Sequence, residues 1–107
     1  MLKVFRKRYL YLAIRSRNGE ISDEEVIKEI NNSFLNFFGF INLKLSRLKI
    51  EEKRERGLIL SVDHKFLKET IAAITFVGRA ERKGFVIDVL GISGTIKSLI
   101  NKVESEI

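Results

Sequence analysis

The stretch of the sequence best suited to binding a ligand is rich in glycine: Gly91-Ile92-Ser93-Gly94-Thr95. It follows an apolar, largely β-branched run from Phe85 to Leu90, which predicts a buried strand. From Ile96 onward, apolar residues recur at helical spacing, and Ser93 or Thr95 could cap that helix. A strand, a tight turn and a helix start direct backbone N–H groups at one point, which suits an anion such as phosphate. The alternative is an ordinary connection between a strand and a helix.

Other kinds of reactive site fit the sequence poorly. A nucleophile elbow needs a glycine where Thr95 stands, and the only histidine, His64, falls at the start of a predicted helix. A nucleotide P-loop needs a glycine-lysine pair that the stretch lacks. The chain has no cysteine, and its close group of acids, Asp23-Glu24-Glu25, is explained by the dipole of a helix. We therefore expect no catalytic residues, no metal site and no cofactor bound by this chain.

The net charge of +6 is concentrated at the start of the chain. The first seventeen residues carry no acid and six positive residues: Lys3, Arg6, Lys7, Arg8, Arg15 and Arg17. Beyond them, fourteen Lys and Arg are balanced by the fourteen Asp and Glu of the chain. Such a patch predicts a polyanionic partner, and nucleic acid rather than a membrane, because no amphipathic basic helix accompanies it. The alternative is that these basic residues are simply solvated and bind no polyanion.

Length and composition predict a single domain, residues 1–107, in the cytoplasm. A chain of 107 residues can bury one core but not two. The absence of cysteine fits a reducing compartment. No apolar run approaches the roughly 20 residues that a membrane span needs.

Hydrophobic periodicity and turn signals predict the order β-α-β-β-α-β and then a C-terminal helix. The strands are predicted at 8–15, 41–50 with a bulge at 47–48, 57–62 and 85–90. Between the second and third strands, Glu51 to Arg56 is predicted to form a solvated hairpin tip. Right-handed crossovers would place the first and third strands in the centre, which is an α+β, ferredoxin-like (RRM-like) antiparallel sheet with an added helix.

The helix signals are unusually complete. Ser22 and Glu25 form a capping box that predicts the start of the first helix, and Gly39 predicts its end. Its expected buried face consists of Val26, Ile27, Ile30, Phe34, Phe37 and Phe38. Asp63 is predicted to cap the second helix.

The sheet face away from these two helices is predicted to carry Tyr9, Tyr11, Leu58 and Leu60. This is too much apolar surface to leave exposed to solvent, so the terminal helix or a partner should cover some of it. RNA-recognition motifs stack bases on aromatic residues of the third strand, where this chain has leucines. If RNA is bound, we expect contacts to its backbone and shape through basic edges.

Three stretches carry a family resemblance: Lys7-Arg8-Tyr9-Leu10, Asp63-His64-Lys65-Phe66-Leu67 with Ala72-Ala73-Ile74, and above all Leu90 to Lys97. From Arg6 to Val103 the chain resembles archaeal ribonuclease P protein component 2, the small subunit shared with eukaryotic ribonuclease P and MRP. The resemblance implies a noncatalytic subunit of the endoribonuclease that removes 5′ leaders from precursor tRNA. It implies that RNA performs the chemistry and that Mg²⁺ is bound by that RNA. The chain departs from the family in having almost no basic tail after Lys102.

The resemblance also implies the partners. These are the ribonuclease P RNA, precursor tRNA indirectly, a TIM-barrel-like protein subunit, and a second copy in a homodimer within a heterotetramer. The RNA-binding residues are expected to be Arg6, Lys7, Arg8, Arg15 and Arg17 at the N-terminal edge, with Gly91, Ser93, Gly94, Thr95 and Lys97 on the other side. The alternative function is a ferredoxin-like protein-interaction or ligand-sensing domain that dimerises through its sheet.

Overall fold

The computed structural model describes residues 6–16, 21–79 and 84–105. In this part of the chain, strands and helices follow one another as β1 (Lys7–Ser16), α1 (Asp23–Phe38), α2 (Phe40–Ser46), β2 (Lys49–Arg54), β3 (Gly57–Asp63), α3 (Leu67–Arg79), β4 (Phe85–Ser93) and α4 (Ile96–Glu104). A 3₁₀ turn, His64–Phe66, leads into α3. The predicted order is confirmed, except that α2 was not expected.

The four strands form one sheet in the order β2-β3-β1-β4, and each neighbouring pair is antiparallel. The first and third strands therefore lie in the centre, as predicted for a ferredoxin-like fold. Both edge strands contain a bulge: Glu51 is the extra residue in β2, and Leu90 is the extra residue in β4. The bulge predicted at Arg47-Leu48 was thus wrong in position.

The main core lies between the sheet and the helices α1 and α3. It includes Leu10 and Leu12 from β1 and Leu58 and Leu60 from β3, all essentially inaccessible to solvent. The prediction that Leu58 and Leu60 lie on the opposite face was wrong. The antiparallel register pairs Leu12 with Leu58 and Leu10 with Leu60, and directly paired residues share a face. Because Leu58, Ile59 and Leu60 are all apolar, the sequence did not reveal which of them face the helices.

Helix α1 begins and ends where its signals predicted. The Ser22 hydroxyl accepts a hydrogen bond from the Glu25 N–H at 3.2 Å. At the other end, Gly39 has φ +87° and its N–H donates to the Leu35 carbonyl at 2.9 Å. Phe34 is fully buried, but the burial predicted for Phe37 was wrong, since 54% of that residue is exposed.

The strand predicted over 41–50 is mostly helix α2. Arg47 ends this helix in the left-handed conformation, with φ 54°, and the extended chain starts only at Lys49. The reason for the missing strand is the hairpin: β2 and β3 are joined by only Glu55 and Arg56, so the seven residues of β3 offer no partner to residues 41–46. The hairpin tip is accordingly shorter than the six residues predicted.

Helix α4 covers the other face of the sheet, as predicted for the terminal helix. Its buried residues Leu99 and Val103 pack on Tyr11 and Ile59, which are inaccessible to solvent. Gly91 makes this close approach feasible, because a Cβ added there would lie 2.9 Å from Val103 Cγ2. Helices therefore pack on both faces of the sheet, which leaves less surface for a dimer formed through the sheet.

The end of α4 is held by a carboxylate that bridges to two strands. Arg54 donates to Glu104 through Nε and Nη2, each at 2.9 Å, and the Tyr11 hydroxyl donates to Glu104 Oε2 at 2.7 Å. These bonds, led by those from Arg54, lower the pKa of Glu104 from its ordinary 4.5 to about 2. Burial, and next the bond to Glu104, raise the pKa of Tyr11. Arg56 adds a bond from Nη1 to the Val103 carbonyl at 3.0 Å.

We predict that Phe34→Ala lowers the free energy of unfolding by about 3 to 5 kcal/mol, because it leaves a cavity beside Phe38 and Phe66. Denaturant melts would measure this loss. Phe37→Ala, on the same helix, is the matched control and should cost on the order of 1 kcal/mol or less. Equal losses in the two variants would contradict the assigned burial.

We predict that Glu104→Gln lowers the melting temperature at neutral pH and has less effect in acid. Because the pKa of Glu104 is lower in the folded chain, its stabilisation is complete above pH 4.5 and is lost as the pH falls toward 2. The difference between wild type and variant in thermal melts should therefore shrink over that range. Glu55→Gln, at the exposed hairpin tip, should show no such trend. A difference that stays constant with pH would show that Glu104 does not act through its charge.

Candidate nucleic-acid interface

The N-terminal arginines and the glycine-containing turn lie at the same end of the sheet. Strand β1 begins there and β4 ends there, with Tyr9 paired to Ser93. Arg8 Nη1 lies 3.0 Å from the position that a Cβ on Gly94 would occupy. The prediction that these two groups lie on different sides was wrong, because antiparallel pairing brings the start of β1 to the end of β4.

The turn itself is shorter than predicted, since Gly91 and Ser93 belong to β4 and only Gly94 and Thr95 separate it from α4. Thr95 is the helix cap: its hydroxyl accepts from the Ser98 N–H at 3.1 Å. Ser93 Oγ lies 3.4 Å from the Thr95 nitrogen, which donates to it. Side chains of the turn therefore accept hydrogen bonds from N–H groups that were expected to face an anion, so the backbone of the turn offers an anion less than predicted.

The predicted cations do not all gather at this end. Arg6, Lys7 and Lys97 are exposed and Arg8 is half-buried. Arg15 lies near the far end of β1, about 26 Å from Lys7 at the usual rise of a strand. There it forms an ion pair with Asp88 at 3.0 Å. Arg17 lies outside the described residues.

Sequence reasoning missed three basic residues that the fold adds to this end. The His64 N–H donates to the Arg6 carbonyl at 2.8 Å, which places His64 and the exposed Lys65 beside the start of β1. Lys49 begins β2 and is paired across the sheet with Ser61, which also pairs with Tyr9. No spacing in the sequence could reveal this group, because the strand register alone brings it together.

The acids at this end are already engaged. Glu51 lies 3.7 Å from Lys7 Nζ and 3.3 Å from Lys49 Nζ, so its carboxylate forms ion pairs with both lysines. Asp63 is buried, and its side chain accepts from the Lys65 N–H at 2.9 Å. The name basic end is used below for Arg6, Lys7, Arg8, Lys49, His64, Lys65 and Lys97.

The sheet face that stacks bases in RNA-recognition motifs is closed. Tyr11 is inaccessible to solvent, and Tyr9 is partly buried against the cluster that Tyr11 forms with Ile59 and the α4 residues Leu99 and Val103. Stacking requires an open aromatic face. The arrangement fits contacts to phosphates better than contacts to bases.

A second surface of note is apolar and lies on the helices. Its members are large hydrophobic residues on α1, α2 and α3 that are 38–74% exposed: Leu35, Phe37, Phe40, Ile41, Leu45 and Phe76. Phe37 and Phe76 meet edge to face with ring centroids 4.8 Å apart, which joins α1 to α3. We call this set the apolar helical surface. This surface was not predicted, because the sequence pattern placed Phe37 in the core and residues 41–45 in a strand.

Within the described ranges, no helix is long and apolar enough to cross a membrane.

Three archaeal proteins of similar sequence share one name. Ribonuclease P protein component 2 of Pyrococcus furiosus is 29% identical over 104 residues, covering 94% of this chain and 85% of the relative. The protein of the same name from Thermococcus kodakarensis is 28% identical, with the same coverage of both chains. That from Methanosarcina barkeri is 29% identical, covering 91% of this chain and 71% of the relative.

Among solved structures, a chain in the cryo-EM structure of yeast ribonuclease MRP superimposes with a TM-score of 0.67. The match covers 99% of this chain and 97% of the yeast chain, at 12% sequence identity. At that identity the likeness concerns the fold.

The Rpp14/Pop5 family model matches residues 8–104, which is nearly the whole chain. The resemblance noted from the Leu90 to Lys97 stretch is thereby confirmed: the chain belongs to the Rpp14/Pop5 family.

Proposed function

We propose that this chain is a noncatalytic protein subunit of ribonuclease P, which binds and stabilises the catalytic RNA for removal of 5′ leaders from precursor tRNA. The observation that carries the proposal is the family match over residues 8–104, together with archaeal relatives that bear the ribonuclease P name. In this proposal the RNA performs the chemistry and binds Mg²⁺, and the chain supplies no catalytic group and binds no cofactor.

The RNA contact is proposed to lie at the basic end. Arg6, Lys7 and Arg8 would neutralise phosphates of the folded RNA, which stabilises close approach of its strands and releases condensed counterions. Lys97 and the Gly94-Thr95 turn would complete the contact, because Arg8 lies directly beside that turn. An arginine fork suits a phosphate because it can donate two parallel hydrogen bonds.

The protein contact is proposed to lie on the apolar helical surface. A soluble monomer seldom exposes so many large hydrophobic residues on adjoining helices, and such a patch usually marks a protein interface. We assign it to the TIM-barrel-like subunit of the same particle. Because this surface belongs to the helices and the basic end to the end of the sheet, RNA and protein could be bound at once.

The alternative, a protein-interaction or ligand-sensing domain that dimerises through its sheet, finds less support. Helices α1 and α3 cover one face of the sheet and α4 covers the other. The family match also does not favour it.

Reconstituted cleavage of precursor tRNA tests the proposal. Adding this chain to the RNA and the other subunits should accelerate cleavage, and an equal rate without it would overturn the proposed role. The triple variant Arg6→Ala, Lys7→Ala, Arg8→Ala should lose most of the acceleration. The slope of the logarithm of RNA affinity against the logarithm of salt concentration, called the salt slope below, should also become less steep. We expect a change of about 2 to 3 units, since each lost phosphate contact removes up to about one unit.

The matched control for the triple variant replaces three exposed lysines away from the basic end: Lys28, Lys53 and Lys102. It removes the same charge and should leave the slope nearly unchanged. If the control flattens the slope and the triple variant does not, RNA is bound elsewhere on the chain.

For the protein contact, we predict that Phe40→Ala with Ile41→Ala weakens binding to the TIM-barrel-like subunit at least tenfold in calorimetric titrations. The two residues are 60% and 74% exposed, so thermal melts should change little. Val89→Ala with Leu90→Ala, apolar residues exposed on β4, is the control and should bind normally. Unchanged affinity together with lost self-association in light scattering would assign the surface to a second copy instead.

A further inference from the structure

Building on the proposed function, we infer that the RNA contact extends across the whole end of the sheet, to Lys49 on β2 and to His64-Lys65. We further infer that its ligand is the phosphate backbone of double-helical RNA. Neither the extent of this surface nor the form of RNA follows from the N-terminal charge run alone.

The extent of the surface follows from the strand register. Lys7 is paired with Asp63, and the His64 N–H is bonded to the Arg6 carbonyl, so the first two segments of the surface are in direct contact. Ser61 pairs with Tyr9 on one side and with Lys49 on the other. Lys49 therefore lies two strand spacings, about 10 Å, from β1. The turn beside Arg8 continues the surface to β4, so it spans all four strands.

The charge of this surface is strongly positive. Lysine and arginine supply six cations from four segments of the chain: Arg6, Lys7, Arg8, Lys49, Lys65 and Lys97. Glu51, which is paired with Lys7 and Lys49, and the buried Asp63 offset part of this charge, so the six cations exceed these two acids by four. An array of separated cations on a rigid scaffold matches a ligand with repeated, fixed negative charges.

The form of RNA follows from the closed sheet face. Proteins that hold single strands combine a basic groove with aromatic residues on which bases stack. Here Tyr11 is fully buried, and Tyr9 is partly buried against the cluster that Tyr11 forms with residues of α4. Helical RNA keeps its bases inside and presents phosphates and 2′-hydroxyls at fixed spacing, so it needs no stacking partner. Binding should therefore follow RNA shape and be nearly independent of sequence.

The test compares the double variant Lys49→Ala, Lys65→Ala with the control Lys28→Ala, Lys53→Ala, which removes two exposed lysines elsewhere. Each protein is titrated with an RNA duplex of about 20 base pairs, longer than the 16 or so that a duplex-binding domain spans, and with oligo-uridine of equal length. Salt is varied, and thermal melts confirm folding. We expect the duplex to bind more tightly, and the Lys49/Lys65 variant to lower its salt slope by about 1 to 2 units. The control should leave that slope unchanged.

Each of the other outcomes would contradict a separate part of the inference. A lowered slope in the control but not in the Lys49/Lys65 variant means that the surface is misplaced, while the proposed RNA-binding function stands. Equal or tighter binding of oligo-uridine means that the RNA class is wrong. If neither probe binds but the chain accelerates precursor-tRNA cleavage, the inference fails and the proposed function survives. If the chain neither binds nor accelerates, both fail.

Discussion

Strand β1 pairs antiparallel with both of its neighbours, and this pairing determines how the core and the surface are built. Pairing with β3 sets Leu10 and Leu12 beside Leu60 and Leu58, which forms the centre of the main core. Pairing with β4 brings the start of β1 to the turn before α4. The same register thus determines which residues are buried and which cations are neighbours, so the core and the basic end are properties of one strand arrangement.

Local signals predicted what local physics determines. Ser22, Glu25 and Gly39 bound α1 because a cap and a C-terminal glycine act within a few residues. The strand order followed from the alternation of strands and helices and from crossover handedness. Helix α2 was missed because the alternation of Ile41, Leu43 and Leu45 also fits a short exposed helix. Only the length of β3, which leaves that segment without a partner strand, decides between the two.

The sequence predicted the type of ligand at the candidate site, but not the full set of residues that form it. A run of arginine and lysine at the N-terminus indicated a polyanion, and the structure keeps Arg6, Lys7 and Arg8 at the end of the sheet. Lys49 and Lys65 could not be assigned from sequence, because their proximity to β1 depends on register over more than forty residues. Arg15 shows the converse, since closeness in sequence did not place it near the others.

The bulges at Glu51 and Leu90 lie in the two strands that form the edges of the sheet. An edge strand presents unpaired backbone groups that can recruit another chain into a continuous sheet, and a bulge interrupts and twists that row. On β2 the interruption is reinforced by charged side chains at Lys49, Glu51 and Lys53. These features disfavour amyloid-like stacking of newly made copies along the edges of the sheet. Quality control of the free chain would then act first on the hydrophobic residues of α1, α2 and α3, which are the most exposed large apolar side chains in the described part of the chain.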